Sequence, residues 1–251
     1  ARREKFASSN RFTIEGILYF AVVRLDGNTI IEQEEIADDA LFADKNISNT
    51  EHHYLMVNGQ EEINQLVKHL ITFKEICFDT ETTGLDANLA QIVGASFSVK
   101  KGEAWYVPFP PEREKAEAQL QLFKPLFDKE DIQWVGQNIK YDLLILKRHG
   151  IEVKGSIFDT MLAHYLLYPD QRHGMDQMSE SYLNYTPVSI ETLIGKKGKA
   201  QGTMADVPLH DLAEYAAEDS DITLQLKKAL EPEIHQNGQQ SLLMDVEGKL
   251  I

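Results

Sequence analysis

A mixed α/β domain is predicted for most of the chain, and three observations predict it. From Tyr54 to Gln236 short apolar runs alternate with longer stretches of helical periodicity. The apolar runs cluster early, at Glu75 to Asp79, Gln91 to Val99 and Ala104 to Phe109, and the last two are close enough to pair through Lys100-Lys101-Gly102. The later sequence is mostly helical, so an early sheet should be flanked by late helices.

Taken in order, Ile17 to Leu25 and Thr29 to Ile31 flank Asp26-Gly27-Asn28 and read as a hairpin. Glu32 to Glu51 is acidic and poor in aromatics, the composition of a linker. A compact domain begins near His53. Glu61 to Phe73 reads as a helix, and the run from Glu75 opens a three-stranded meander with the two runs that follow it. Arg113 to Phe127 is helical, and Ile132 to Val135 is a short strand. Ile139 to Gly150 is a helix ended by glycine, and Phe158 to Tyr168 a helix stopped by Pro169. The expected organisation is a hairpin and acidic linker over 1-52, the main domain over 53-236, and an extension over 237-251. There is no internal repeat.

A hydrophobic fraction of 43% is that of a globular protein able to bury a core. The apolar stretch Ile17 to Val23 is too short to cross a bilayer, which predicts no membrane association, and Ala1 to Lys5 is not followed by the apolar region of a secretory signal. The single cysteine, Cys77, cannot form an internal disulfide, and its apolar run predicts a buried thiol in a reducing cytoplasm. The net charge of -15 argues against a general nucleic-acid binder, unless bound divalent cations cancel acids lining a site. The absence of an initiator Met and the ending at Gly248-Lys249-Leu250-Ile251 suggest part of a longer polypeptide.

Three segments carry candidate chemistry. Asp79 and Glu81 are separated by one residue at a strand end, so they share a face and suit a divalent cation. A solvated strand end is the bland reading of that pair. Asp142 falls in the first turn of a helix, where an acid also simply favours the helix dipole. Tyr215 and Asp219 are four apart on a helix and share a face, as would any half-buried Tyr with an exposed acid one turn on.

In this order the segments resemble the DEDDy group of DnaQ-like exonucleases. Phe78-Asp79-Thr80-Glu81-Thr82, Gly136-Gln137-Asn138-Ile139-Lys140-Tyr141-Asp142, Phe158-Asp159-Thr160-Met161-Leu162 and Tyr215-Ala216-Ala217-Glu218-Asp219 are similar to the proofreading domain of bacterial DNA polymerase I. Glu214, five residues before Asp219, stands where a sister branch has histidine, which favours the tyrosine branch. The resemblance spans Tyr54 to His235. It implies an RNase H-like mixed sheet flanked by helices and a two-metal hydrolysis, with Mg2+ or Mn2+ ions about 4 Å apart and Zn2+ admissible at one site. It also implies that Asp79, Glu81 and Asp219 hold the first ion, with Asp79 shared, that Asp142 holds the second, and that Tyr215 orients the attacking water. Leu85 would pack on the terminal base, with Thr80, Gln137, Asn138 and Tyr141 as further substrate contacts. Core packing is the other reading of Leu85.

The implied substrate is a single-stranded or frayed DNA 3' end, the product a nucleoside monophosphate, and the partner a polymerase domain in the same longer chain. A ribonuclease D-like exoribonuclease and a non-catalytic DNA-end-binding module are the rival readings. The loop Gly195-Lys196-Lys197-Gly198-Lys199 is either a phosphate contact or a solvated loop. The histidines show no close metal-ligand spacing, and His164, His173 and His210 read as surface or helix residues.

Overall fold

The computed structural model describes residues 43–198 and 200–251 in full, and residues 6–14, 17–24 and 29–33 as backbone strands. Two compact units divide the chain, Ala1–Phe42 and Ala43–Ile251. In the first, β1 (Phe6–Ile14), β2 (Ile17–Arg24) and β3 (Thr29–Gln33) form an antiparallel sheet in the order β1-β2-β3. The expected pairing of the two apolar runs is present, while the turn at Asp26-Gly27-Asn28 lies outside the described residues, as do residues 34–42 of the acidic segment after it. β1 was not expected, because FASSNRFTI has too few apolar residues to signal a strand.

The second unit is built on a six-stranded sheet of order β4-β7-β6-β5-β8-β9. Its strands are β4 (His53–Met56), β5 (Glu75–Thr82), β6 (Ile92–Lys100), β7 (Glu103–Pro108), β8 (Gln133–Gly136) and β9 (Ser156–Asp159). β5, β6 and β7 form the expected antiparallel meander, and β4, β8 and β9 add to it by parallel pairing. Two of those additions correct the sequence reading. His53–Met56 is a strand rather than only the start of a domain, and Ser156–Asp159 is a strand where Phe158 and Asp159 read as helical. Each is four residues long, too short to establish a period of its own, and is fixed by its neighbour in the sheet.

The helices are α1 (Gly59–Leu70), α2 (Arg113–Leu120), α3 (Lys124–Phe127), α4 (Lys140–Arg148), α5 (Thr160–Leu167), α6 (Met175–Leu183), α7 (Ile190–Ile194), α8 (Leu209–Gln236) and α9 (Gly248–Leu250). The single helix expected over Arg113 to Phe127 is broken into α2 and α3 by a 3-10 turn at Gln121–Phe123, just before Pro125. α4 ends where Gly150 adopts φ +76°, a conformation that favours glycine, as the sequence suggested.

Alternation along β5 places Ile76, Phe78 and Thr80 on one face and Cys77, Asp79 and Glu81 on the other. The first face packs an aromatic cluster of Phe78, Phe97, Phe127 and Trp134 with ring centroids 4.9 to 6.4 Å apart, closed by α1, α2 and α3. Across the second face runs α8, in contact with every strand from β4 to β8. Here the sheet is lined by small residues, since Gly94, Ser96 and Ser98 pair with Glu81, Asp79 and Cys77, and Ala104 pairs with Ser98. α8 answers with Ala216, Ala217 and Ser220 inside a buried run from Ala216 to Leu224. Small side chains on both sides let helix and sheet approach closely, which carries Tyr215 and Asp219 to the end of β5.

Ala216 packs with Tyr106 and Leu212 in that interface. Ala216→Leu overfills it, and a destabilisation of about 1–3 kcal/mol should appear as a lower urea midpoint with an unchanged m-value.

Candidate active site

The expected acids converge. One carboxylate oxygen from each of Asp79, Glu81 and Asp219 lies within 4.8 Å of the other two, bringing the strand end and the helix together over more than 130 residues of chain. Asp142 reaches the same strand from α4. Its Oδ1 accepts hydrogen bonds from the Thr80 backbone N–H at 2.9 Å and the Thr80 hydroxyl at 2.5 Å, which fixes the carboxylate beside Asp79. Tyr215, one helical turn before Asp219, faces the same group.

None of these carboxylates has an ion-pair partner among the described residues. Burial and mutual repulsion therefore act against ionisation. Burial pushes Asp79 up to about 6. Burial first, then the charge of Asp79, raises Glu81, Asp142 and Asp219 well above the usual carboxylate range, with Thr80 partly offsetting the shift at Asp142. Tyr215 is raised by burial first and then by Asp219, Glu81 and Asp79, so its phenol stays protonated.

Comparison within α8 separates this cluster from ordinary buried acids. Glu218 accepts from the Tyr185 hydroxyl at 2.5 Å and the Val188 N–H at 2.8 Å. Asp221 accepts from the Tyr54 hydroxyl at 2.8 Å, the Gly102 N–H at 2.9 Å and Gln225 at 3.1 Å. Asp219, between them, has a buried Oδ1 with no partner. Buried carboxylate oxygens are almost always satisfied. An oxygen left bare beside two other acids fits a cation ligand, and the oxygen-only donor set fits a hard divalent ion.

Asp79, Glu81 and Asp142 floor a cleft of about 740 Å³, a volume typical of ligand sites. Its walls contain Thr80, Leu85, Gln137, Asn138 and Tyr141 on one side and Ile190, Ile194, Lys197 and Met204 on the other. Leu85 is 92% exposed at the rim, which excludes core packing for it. The Tyr141 hydroxyl bonds Thr82 Oγ1 at 2.6 Å and the Gly84 carbonyl, bracing the turn that presents Leu85. Gln137 is tied at both ends of its amide, accepting from Thr160 Oγ1 at 2.5 Å and donating to the His173 carbonyl at 2.8 Å. Asn138 adopts φ +54° and its side chain is exposed. Asp159 secures this bend, accepting from the N–H groups of Asn138 at 3.2 Å, Ile139 at 3.0 Å and Leu162 at 3.1 Å, and so capping α5 while it aims α4.

One expectation is narrowed. His164 is a helix residue, but it is buried at 2% exposure and its Nδ1 stands 2.8 Å from His173 Nδ1, so it does not lie on the surface. It lies on the inward side of α5 against Tyr168 and Tyr182, and that inward turn is invisible from a lone histidine in a helix. In the basic loop Lys197 lines the cleft, while Lys199 lies outside the described residues. The apolar wall of Ile190, Ile194 and Met204 was missed, because α7 is only five residues long and lies in a segment with no motif.

Comparison with known proteins agrees with this geometry. A 3'-5' exonuclease family matches residues 54–235. The chain is 39% identical over 186 residues to DNA polymerase I of Pseudomonas aeruginosa, an alignment covering 70% of this chain and 20% of that protein. It is 36% identical over 200 residues to DNA polymerase I of Rhizobium leguminosarum, again covering 70% and 20%. The chain thus spans about one fifth of the length of these relatives. Among solved structures it resembles Brucella melitensis NrnC, with TM-score 0.59 and 21% identity over 76% of this chain and 85% of the other. It also resembles the catalytic core of RRP6 from Trypanosoma brucei, with TM-score 0.63 and 16% identity over 97% and 65%. These two likenesses establish the RNase H-like fold. By the family match and the identity to its relatives, the chain belongs to the 3'-5' exonuclease domain family of bacterial DNA polymerase I.

Proposed function

We propose that this domain hydrolyses the terminal phosphodiester bond at the 3' end of a single-stranded or frayed DNA strand and releases a nucleoside monophosphate. The observation that carries the reading is the trio Asp79, Glu81 and Asp219, buried or half-buried, mutually close and lacking cationic partners among the described residues. Mg2+ or Mn2+ matches that oxygen donor set, with Zn2+ admissible at one position. When bound, two divalent ions supply an activated water and neutralise charge on the attacking and leaving oxygens. Asp79, Glu81 and Asp219 would hold the first, and Asp142, together with Asp79, would hold the second.

The remaining work falls to the chain's own groups. Tyr215 keeps its proton at neutral pH, so it orients the attacking water by hydrogen bonding rather than acting as a base. Thr80 keeps Asp142 from swinging away. Leu85 offers an apolar face to the terminal base, and Asn138, Tyr141 and Gln137 line the path of the strand. We extend to this chain the setting that its relatives' name carries, a polymerase domain in the same polypeptide, under which the activity is proofreading, and we assign it to the cytoplasm. Among the described residues no helix is long and apolar enough to cross a membrane.

A 5'-labelled DNA strand incubated with Mg2+ or Mn2+ tests the reading. The ladder should shorten from the 3' end, and Asp79→Ala should slow it by roughly a thousandfold, the worth of several kcal/mol of metal-borne charge stabilisation. Tyr215→Phe should cost on the order of a hundredfold. Wild type as inert as Asp79→Ala would favour a non-catalytic end-binding module, and faster loss of a matched RNA would favour the ribonuclease D-like reading.

The acids also set a pH dependence. Their folded-state values lie above those of ordinary carboxylates, so between about pH 4 and the raised values the folded state holds more protons than the unfolded chain. Stability from this cluster is therefore lost as pH rises through that window. In chelator, the melting temperature of wild type should fall between about pH 5 and about pH 7 by more than that of Asp219→Asn, and millimolar Mn2+ should remove the difference. Equal slopes for the two proteins would sink the claim.

A further inference from the structure

Behind the acids, on the sheet side, stand two buried hydroxyls with no role in the reading above. Tyr106 and Ser96 are both fully buried, and neither Tyr106 Oη nor Ser96 Oγ has a hydrogen-bond partner. Register explains where they sit. Ser96 pairs with Asp79 on one side and with Tyr106 on the other, and the next pair on the same face of the sheet is Glu81 with Gly94. Gly94 is empty on the α8 face, and the Tyr106 ring fills the space. A Cβ added at Gly94 would fall 2.1 Å from Tyr106 Oη. The phenol oxygen thus occupies the side-chain position of the residue directly opposite Glu81, where facing Cβ atoms stand about 4.5–5.5 Å apart. That is within reach of the Glu81 carboxylate after a small rotation. The charge of Glu81 is felt there, adding to burial in raising the Tyr106 phenol.

A buried hydroxyl without a partner destabilises a fold, and phenylalanine would fill the same space without that cost. A hydroxyl kept at this position is accounted for by an acceptor that is available only in another state of the site. We propose that Tyr106 is a positioning residue of the metal centre, whose phenol donates to the Glu81 carboxylate when that carboxylate holds a divalent cation. Gly94 is its necessary counterpart, since any side chain there would displace the phenol. Groups that orient metal-bound carboxylates in this way typically change affinity by 10–100-fold. The inference rests on the proposed metal binding by Asp79, Glu81 and Asp219.

Two measurements on the whole chain test it. Thermal melting in chelator is compared for wild type and Tyr106→Phe, and Mn2+ binding is titrated calorimetrically for both, with Glu81→Gln as control. Tyr106→Phe should melt at the same or a higher temperature than wild type without metal, yet bind Mn2+ roughly 10–100-fold more weakly. Its exonuclease rate should recover as Mn2+ is raised. A purely structural tyrosine would give the reverse, a lower melting temperature and unchanged Mn2+ affinity, and would overturn the proposal. Mn2+ binding equal in Tyr106→Phe and wild type, with Glu81→Gln impaired, overturns the Tyr106 assignment alone. Wild type that binds no Mn2+ overturns the metal site and this inference with it.

Discussion

The structure depends on holding like charges together. Asp79, Glu81 and Asp219 are brought within a few ångströms of one another, buried or half-buried, with Asp142 anchored alongside. Each carboxylate raises the cost of ionising the next, and no lysine or arginine among the described residues relieves it. An arrangement of this kind persists only if the scaffold is stable enough to enforce it. The aromatic packing of Phe78, Phe127 and Trp134 on the opposite face of β5 supplies that stability directly beneath the acids.

Enforcement is distributed over three elements, each controlled by a small number of contacts. β5 gives direction, because a strand holds alternate side chains on one face without further support. α4 is aimed by Asp159, whose carboxylate gathers N–H groups from both sides of the bend at Asn138. α8 is brought close by size, through Gly94, Ser96 and Ser98 on the sheet and Ala216, Ala217 and Ser220 on the helix. The apolar contacts are on rigid secondary structure, while Leu85, the most exposed apolar residue of the cleft, rides on a turn braced by Tyr141. Such a division suits a site that must keep its charged groups fixed while a strand end enters and leaves.

Legibility in the sequence followed the range of the interaction. Asp79 and Glu81 could be placed on one face because strand alternation is local, and Tyr215 with Asp219 because helix periodicity is local. Their convergence was not local, and it came from the likeness of four segments taken in order. The three-stranded meander was readable, while β4 and β9 were not, each being four residues that owe their form to a parallel neighbour. His164 escaped for a related reason, since its burial is set by Tyr168, Tyr182 and His173 rather than by its own helix. Tyr106 reads in sequence as one more aromatic in a strand. Only the pairing of β6 with both β5 and β7 reveals that it fills the gap opposite Glu81.

The acids of α8 show how function and fold can be separated within four residues of sequence. Glu218, Asp219 and Asp221 are all buried, and composition or burial alone would rank them alike. Glu218 ties the helix to the segment at Tyr185 and Val188 that leads into α7, and Asp221 ties it to Tyr54 and to the turn at Gly102. Both are fully engaged by donors from the protein, so nothing from outside is required to complete them. Asp219 has an oxygen that the protein leaves bare, and it is the one of the three that meets Asp79 and Glu81. The criterion that distinguishes a ligand from a structural acid is therefore the inventory of donors rather than the degree of burial. Applied to the hydroxyls on the sheet side, the same criterion singles out Tyr106 and Ser96, donors that the protein leaves unused on the sheet face that carries Asp79 and Glu81.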